Sequence, residues 1–445
     1  MLRRGPSRSP CLEATSLAGM SLSLGSVWCA CHSGPGSQRI GHRDMTADGS
    51  LAPPAIDTLQ ELLRLLADEI PAAVELRHRL HRVPELGSQE HATVALIEDS
   101  LPVQGRSFAG TGRLVSIGDA SHDAVWVRAE LDALAIRERT GALYAATGEN
   151  MHACGHDVHL AALVALVRAA HRMRDGLPAR LTAVFQPSEE RHPSGALALV
   201  NDPELAVGVR AAIAVHVHPE LPWGGVGIEP GAVNAAADAV HIVIKGAGGH
   251  AAYPHQATDP VLALAHLVVG LNGLVGRQVD PTRAATLTVG SVRAGSTENI
   301  IPDEAEAKVT FRALDERDQD RLCDAVRRMA TGVAEAHGCT AELTFPKSEP
   351  ALVNDDRAAL AARSLAAIGG FRLAPPWRSC GGDDFAHYRT VCPALMIFVG
   401  LRGAPEFQPA PLHQSDFLPP DGAVAAAARA LALGYVAGLS VDPAS

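Results

Sequence analysis

The chain has 445 residues, 47% of them hydrophobic and 20% charged, which allows two domains with separate cores and excludes a disordered class. Its formal charge of −11 argues against a nucleic-acid partner, because polyanions are bound by basic faces. No apolar run reaches the ~18 residues a membrane span needs, and eight scattered cysteines suit reduced thiols in a cytoplasmic enzyme better than a disulfide-stapled fold.

Residues 1–50 stand apart. Within residues 1–44, Arg3, Arg4, Arg8, Arg39 and Arg43 face only Glu13 and Asp44 among many Ser and Gly, and the apolar stretch 17–30 is broken. This segment reads as a disordered tail or as sequence upstream of a natural start at Met45, rather than a targeting signal. Residues 57–83 carry Leu59, Leu62, Leu63, Leu66, Ile70 and Val74 at helical spacing and stop near Pro84. A strand is expected at 124–129 with Glu130 and Asp132 at its end, a helix at 159–172, and strands at 181–185 and 211–217. Strands alternating with helices argue for an α/β class, a mostly parallel sheet with helices on both faces. From about 232 the pattern changes to strand 239–245, helix 260–279, strands 285–292 and 305–313, helix 317–336 and strand 339–345. That β-α-β-β-α-β order is ferredoxin-like. Helix 358–368, strand 394–399 and helix 422–437 then resume the first pattern. The expected organisation is a catalytic domain in two parts, 51–231 and 351–445, interrupted by an inserted domain over 232–350.

Chemistry concentrates in Met151-His152-Ala153-Cys154-Gly155-His156-Asp157-Val158-His159 and in Gln186-Pro187-Ser188-Glu189-Glu190. A lone Cys or His is usually structural. Together at a helix start, Cys154 and His156 point to divalent-metal ligation, and a Cys–His nucleophilic pair is the alternative. Two residues apart on a tight turn seldom align for proton transfer, and that alternative leaves Glu189 and Glu190 without a role. Glu190 is read as a ligand and Glu189 as the base that takes a proton from metal-activated water.

Six ordered motifs then carry a resemblance: His152-Ala153-Cys154-Gly155-His156-Asp157, Gln186-Pro187-Ser188-Glu189-Glu190, Gly248-Gly249-His250-Ala251-Ala252, Asn299-Ile300-Ile301-Pro302, Gly381-Gly382-Asp383-Asp384-Phe385 and Leu412-His413. Over residues 56–439 the chain resembles the metal-dependent aminoacylase/hippurate hydrolase family. That family includes the plant auxin-conjugate hydrolases and is related to the carboxypeptidase-G-type metallopeptidases. The resemblance implies metal ligands Cys154, His156, Glu190, His216 and His413, with His218 competing for the place of His216. It implies two divalent ions, zinc or manganese with cobalt possible, since five donors exceed one tetrahedral site. It makes Glu189 the base and Asp132 the carboxylate that orients a ligating imidazole. It makes His250 a substrate-polarising residue delivered by the partner of a homodimer formed through the inserted lid and dimerisation domain. Asn299 and Arg312 would grip the substrate α-carboxylate, although Arg312 could equally be a structural ion pair.

Two positions depart from the family pattern: Glu130 stands where Asp is usual, and Asp383 where Glu is more frequent. The implied activity is hydrolysis of N-acyl amino acids. A dipeptidase or N-carbamoyl-amino-acid hydrolase on the same site, a silent metal-binding homologue and a Cys-dependent hydrolase are the other readings.

Overall fold

In this computed structural model residues 53–346 and 349–442 are described, and the expectations for residues 1–50 lie outside them. The first helix, Pro53–His81, buries Leu59, Leu62, Leu66, Leu76 and Leu80 on one stripe and ends three residues before Pro84. It packs against helices His156–Arg172 and Gly422–Gly438. The last two are rich in Ala, whose small side chain lets helix and sheet approach closely.

An eight-stranded sheet lies beneath these helices. Its order is Arg106–Phe108, Gly112–Ile117, Arg180–Gln186, Ala124–Glu130, Val209–Pro222, Ala394–Arg402, Gly225–Gly227 and Arg372–Leu373. The four central strands pair in parallel, and antiparallel pairs flank them. Central runs such as 124–130 are buried at every residue, as expected where both faces are covered. One face packs on the three long helices. The other packs on helix Gly195–Val200 and the 3₁₀ segment Asp384–Thr390, through Trp126, Phe385 and Tyr388.

A second, four-stranded antiparallel sheet has the order Ala285–Ala294, Glu304–Ala313, Ala236–Lys245 and Thr340–Thr344. Helices Pro260–Asn272 and Glu316–Ala336 pack on it, with a core of its own that includes Val240, Leu264, Phe311 and Val326. The second-third-first-fourth strand order is that of a ferredoxin-like sheet. Asp259 and Asp315 cap the two helices by accepting main-chain N–H groups of their first turns. Where the chain passes between the two sheets, strand Gly231–Asn234 pairs with Leu352–Asn354.

Some expectations shift. The helix expected over 260–279 breaks after Asn272 and resumes at Val275–Gln278. The strand expected over 211–217 runs on to Pro222. Helix His91–Ser100 and edge strands Arg106–Phe108 and Gly112–Ile117 were not expected. Their segments run to ten residues or fewer, so few periods are available to read there.

Candidate metal centre

Gly155 makes the first motif turn. Its φ of +89° lies in the left-handed region, and an added Cβ would sit 2.6 Å from Val217 Cγ2. The helix therefore starts at His156, three residues earlier than expected, with Cys154 buried on the turn before it. In the second motif, Ser188 adopts φ +53° directly before Glu189. His413 (φ +64°) is likewise left-handed, and its N–H donates to Ala153 O at 2.9 Å. Non-glycine residues rarely take this conformation, and its cost of about 1 kcal/mol is sustained by the surrounding bonds.

These turns converge. His216 Nε2 and His413 Nε2 each lie 3.3 Å from Cys154 Sγ. His413 Nε2 is 3.1 Å from Glu190 Oε1, and His156 Nε2 is 3.9 Å from Glu189 Oε2. Cys154, His156 and His216 present donor atoms within 4.8 Å of one another, as do Cys154, Glu190 and His413, and His156, Glu189 and Glu190.

The residues present fit divalent cations. His156 Nδ1 lies 2.8 Å from Asp132 O and His216 Nδ1 lies 2.7 Å from Val217 O, so each ring donates there and turns a lone pair on Nε2 inward. His156 Nε2 is buried and has no hydrogen-bond partner among the described residues. A thiol, three imidazoles and two carboxylates form a donor set suited to divalent transition metals. Burial, then the neighbouring Glu190 and Glu189, push the Cys154 thiol well above its ordinary range. Burial, then Glu190, Asp383 and Asp384, push Glu189 well above the carboxylate range. Burial opposes ionisation of Glu190, yet the imidazoles of His413 and His156 hold it below that range. Acids crowded in this way are short of positive charge, which a cation supplies.

Behind this layer Asp132 links the two motifs. Its carboxylate accepts the N–H groups of Glu189 and Glu190 at 3.1 and 3.0 Å. The expected carboxylate-to-imidazole bond is not what forms: Asp132 Oδ1 is 3.9 Å from His156 Nδ1, and the residue's main-chain carbonyl holds the ring instead. Glu130 bonds His159 Nδ1 at 2.9 Å, and His159 Nε2 accepts the Val217 N–H at 3.0 Å. The buried Arg128 guanidinium joins Glu130 to Asp383 and Asp384, the latter pair at 3.3 and 2.8 Å. Both departures from the family pattern therefore sit on one guanidinium, and Asp383 and Asp384 bring oxygens within 4.8 Å of Glu189. Sequence reasoning gave Arg128, His159 and Asp384 no role. Glu130 and Asp383 stood out only as departures. On the far side of the helix, Asp157 pairs with the buried Arg77 and His81 at 2.8 and 2.9 Å.

A cavity of about 590 Å³ opens onto the site and is lined by Cys154, Glu189, Glu190, His216 and His413 together with Arg312. Arg312 lines the cavity, with its Nη1 close to Gly382. His218 lines the cavity but packs its ring on Trp377, and of these two histidines it is His216 that approaches Cys154. His250 and Asn299 do not line the cavity. They lie exposed on the inserted domain, where strand Gly249–His250 pairs with Ile300–Ile301 and the Ala251 N–H bonds Asn299 O at 3.1 Å.

Comparison with known proteins follows the same lines. The profile of Peptidase family M20/M25/M40 matches residues 126–433. N-acetyl-L-cysteine deacetylase of Bacillus subtilis is 33% identical over 336 residues, 74% of this chain and 80% of that protein. N-acetyldiaminopimelate deacetylase of Geobacillus sp. is 32% identical over 365 residues, 79% and 94% of the two chains. Among solved structures, the YXEP protein of Bacillus subtilis, described as a dinuclear metal binding peptidase from the M20 family, superposes with a TM-score of 0.72 at 29% identity. That match covers 83% of this chain and 98% of the other.

Proposed function

Because the chain belongs to peptidase family M20/M25/M40, we propose that it hydrolyses the amide bond of N-acyl amino acids, giving a carboxylate and a free amino acid. One observation carries this reading: Cys154, Glu189, Glu190, His216 and His413 meet in one cavity with His156 against Glu189. Deacetylases of N-acetyl amino acids among the relatives support it.

Cys154, His156, Glu190, His216 and His413 hold two divalent ions in this reading, zinc or manganese, with cobalt as a further option. Bound there, the ions supply Lewis acidity and lower the pKa of water at the site. Glu189 takes the proton of the attacking water and returns it to the leaving amine, from a position on the cavity wall 3.9 Å from His156 Nε2. Arg312, which lines the cavity, receives the α-carboxylate, and Asn299, beside His250 and outside this cavity, assists only at the site of a second copy. His250 Nδ1 accepts the Ala252 N–H at 3.1 Å, which leaves the neutral ring's proton on Nε2 to polarise a carbonyl. Because His250 is exposed and does not line this chain's own cavity, it serves the site of a second copy in this reading. The five described cysteines are all free, in keeping with a reducing, cytoplasmic setting. No helix among the described residues is long and apolar enough to cross a membrane.

Purified, metal-loaded protein tested on a panel of N-acyl amino acids checks the reading. Hydrolysis of at least one, and a loss in kcat on the order of 10³-fold in Glu189→Gln with metal content retained, is expected. A protein that cleaves none of the panel overturns it.

A further inference from the structure

Behind the donor cluster lies a buried guanidinium that the chemistry above does not use. We propose that Arg128 is a positioning residue for that chemistry: it ties the strand carrying His216 to the turn carrying Glu189 and Glu190, and so holds the candidate ligands at one spacing. This rests on the amidohydrolase reading of the same site.

Three observations carry it. First, no nitrogen of the guanidinium is idle. Arg128 is 1% exposed, and its Nε donates to Gln186 Oε1 at 3.1 Å. Nη1 donates to Glu130, and Nη2 to Asp384 Oδ1 at 2.8 Å and Asp383 Oδ1 at 3.3 Å. Second, these bonds lead to the ligands. Glu130 Oε2 accepts the His159 Nδ1–H at 2.9 Å, which leaves Nε2 to accept the Val217 N–H at 3.0 Å. Val217 O in turn accepts the His216 Nδ1–H at 2.7 Å. The His159 ring also stands edge-on to that of His216, with 4.8 Å between centroids. On the other side, Gln186 opens the segment that ends in Glu189 and Glu190. Its carboxamide N–H groups donate to both Asp384 oxygens at 2.9 Å, and its Oε1 accepts the Tyr388 hydroxyl at 2.9 Å. Its main-chain carbonyl accepts the Leu131 N–H at 2.7 Å, beside Asp132. Third, stability alone does not call for such an assembly. A guanidinium buried among three acids gives up its hydration, and apolar residues of like volume hold strands together about as well. What the hydrogen bonds add is direction, which a ligand lone pair needs.

The primary readout needs no substrate. Zinc affinity, read by competition with a chromophoric chelator, and thermal unfolding of the metal-free protein are compared in wild type, Arg128→Lys and Glu130→Gln. Arg128→Lys keeps the charge and loses the fork, whereas Glu130→Gln keeps an acceptor for His159 and loses the ion pair. Each should weaken zinc binding by roughly 10- to 100-fold while still unfolding cooperatively above the assay temperature. Because Glu130 acts through Arg128, the double variant should lose little more than Arg128→Lys alone. Where an N-acyl amino acid is cleaved, kcat should fall with KM little changed. Folded variants that bind zinc as tightly as wild type overturn the proposal. So does a double variant whose loss is the product of the single losses, or a wild type that binds no zinc. Should Arg128→Lys fail to fold, Glu130→Gln decides, and failure of both shows a purely structural role and overturns it too. Zinc affinity that falls in a protein cleaving no N-acyl amino acid sustains the positioning role while the amidohydrolase reading fails. Variants that hydrolyse at the wild-type rate sink the positioning role alone.

Discussion

At the scale of single residues, the buried pair behind the metal centre has a testable charge state. His81 has no exposed side chain and sits between Asp157 and Glu138 at 2.9 and 3.1 Å. Burial works against its charge, but Asp157 and Glu138 outweigh that and raise the imidazole to about 9 from an ordinary 6.5. A proton held more tightly in the folded state stabilises the fold fully below pH 6.5. That contribution is lost as pH rises through about 9. The shift corresponds to about 3 kcal/mol. Urea unfolding from pH 6 to 10 should show wild type losing stability on that order relative to His81→Gln, and parallel pH profiles would contradict the assignment.

At the scale of elements, the turn at Gly155 matters more than its length suggests. Gly155→Ala places a methyl 2.6 Å from Val217 Cγ2 and forces an L-residue to φ +89°. The two effects together cost about 3 kcal/mol. Thermal unfolding should show the loss, Val217→Ala should restore only the steric part, and an unchanged Tm in Gly155→Ala would count against the turn. The elements also show how far the sequence was legible. Residues 124–129, 159–172 and 422–437 announced themselves because an unbroken apolar run or a helical period reports burial directly. The metal candidates were legible for a different reason: Cys154 with His156, and Glu189 with Glu190, are dense in donors over a few residues. What stayed hidden was long-range. Nothing near Arg128 in the sequence indicates that it meets Asp383 and Asp384, more than 250 residues on. Nor does spacing say that the Asp132 carbonyl, rather than its carboxylate, holds His156.

At the scale of the whole molecule, two sheets with separate cores divide the work. The large sheet carries the donor cluster at the ends of its central strands, the usual crevice of such sheets. The small sheet sends Arg312 into the cavity, and a separate two-stranded ribbon of the inserted domain carries His250 outside it. If His250 completes the site of a second copy, an equal mixture of Glu189→Gln and His250→Ala proteins, each nearly inactive alone, should recover about a quarter of wild-type activity. Subunit exchange without any recovery would place the function of His250 elsewhere.

All of these expectations depend on cations binding where the donors converge. The most direct measurement is the metal content of the purified protein after equilibration with zinc or manganese and removal of excess ion. Two ions per chain are expected, with loss of metal in Cys154→Ala and in Glu190→Gln and retention in Glu189→Gln. A chain that holds no divalent ion, or holds it equally well without Cys154 and Glu190, contradicts the account.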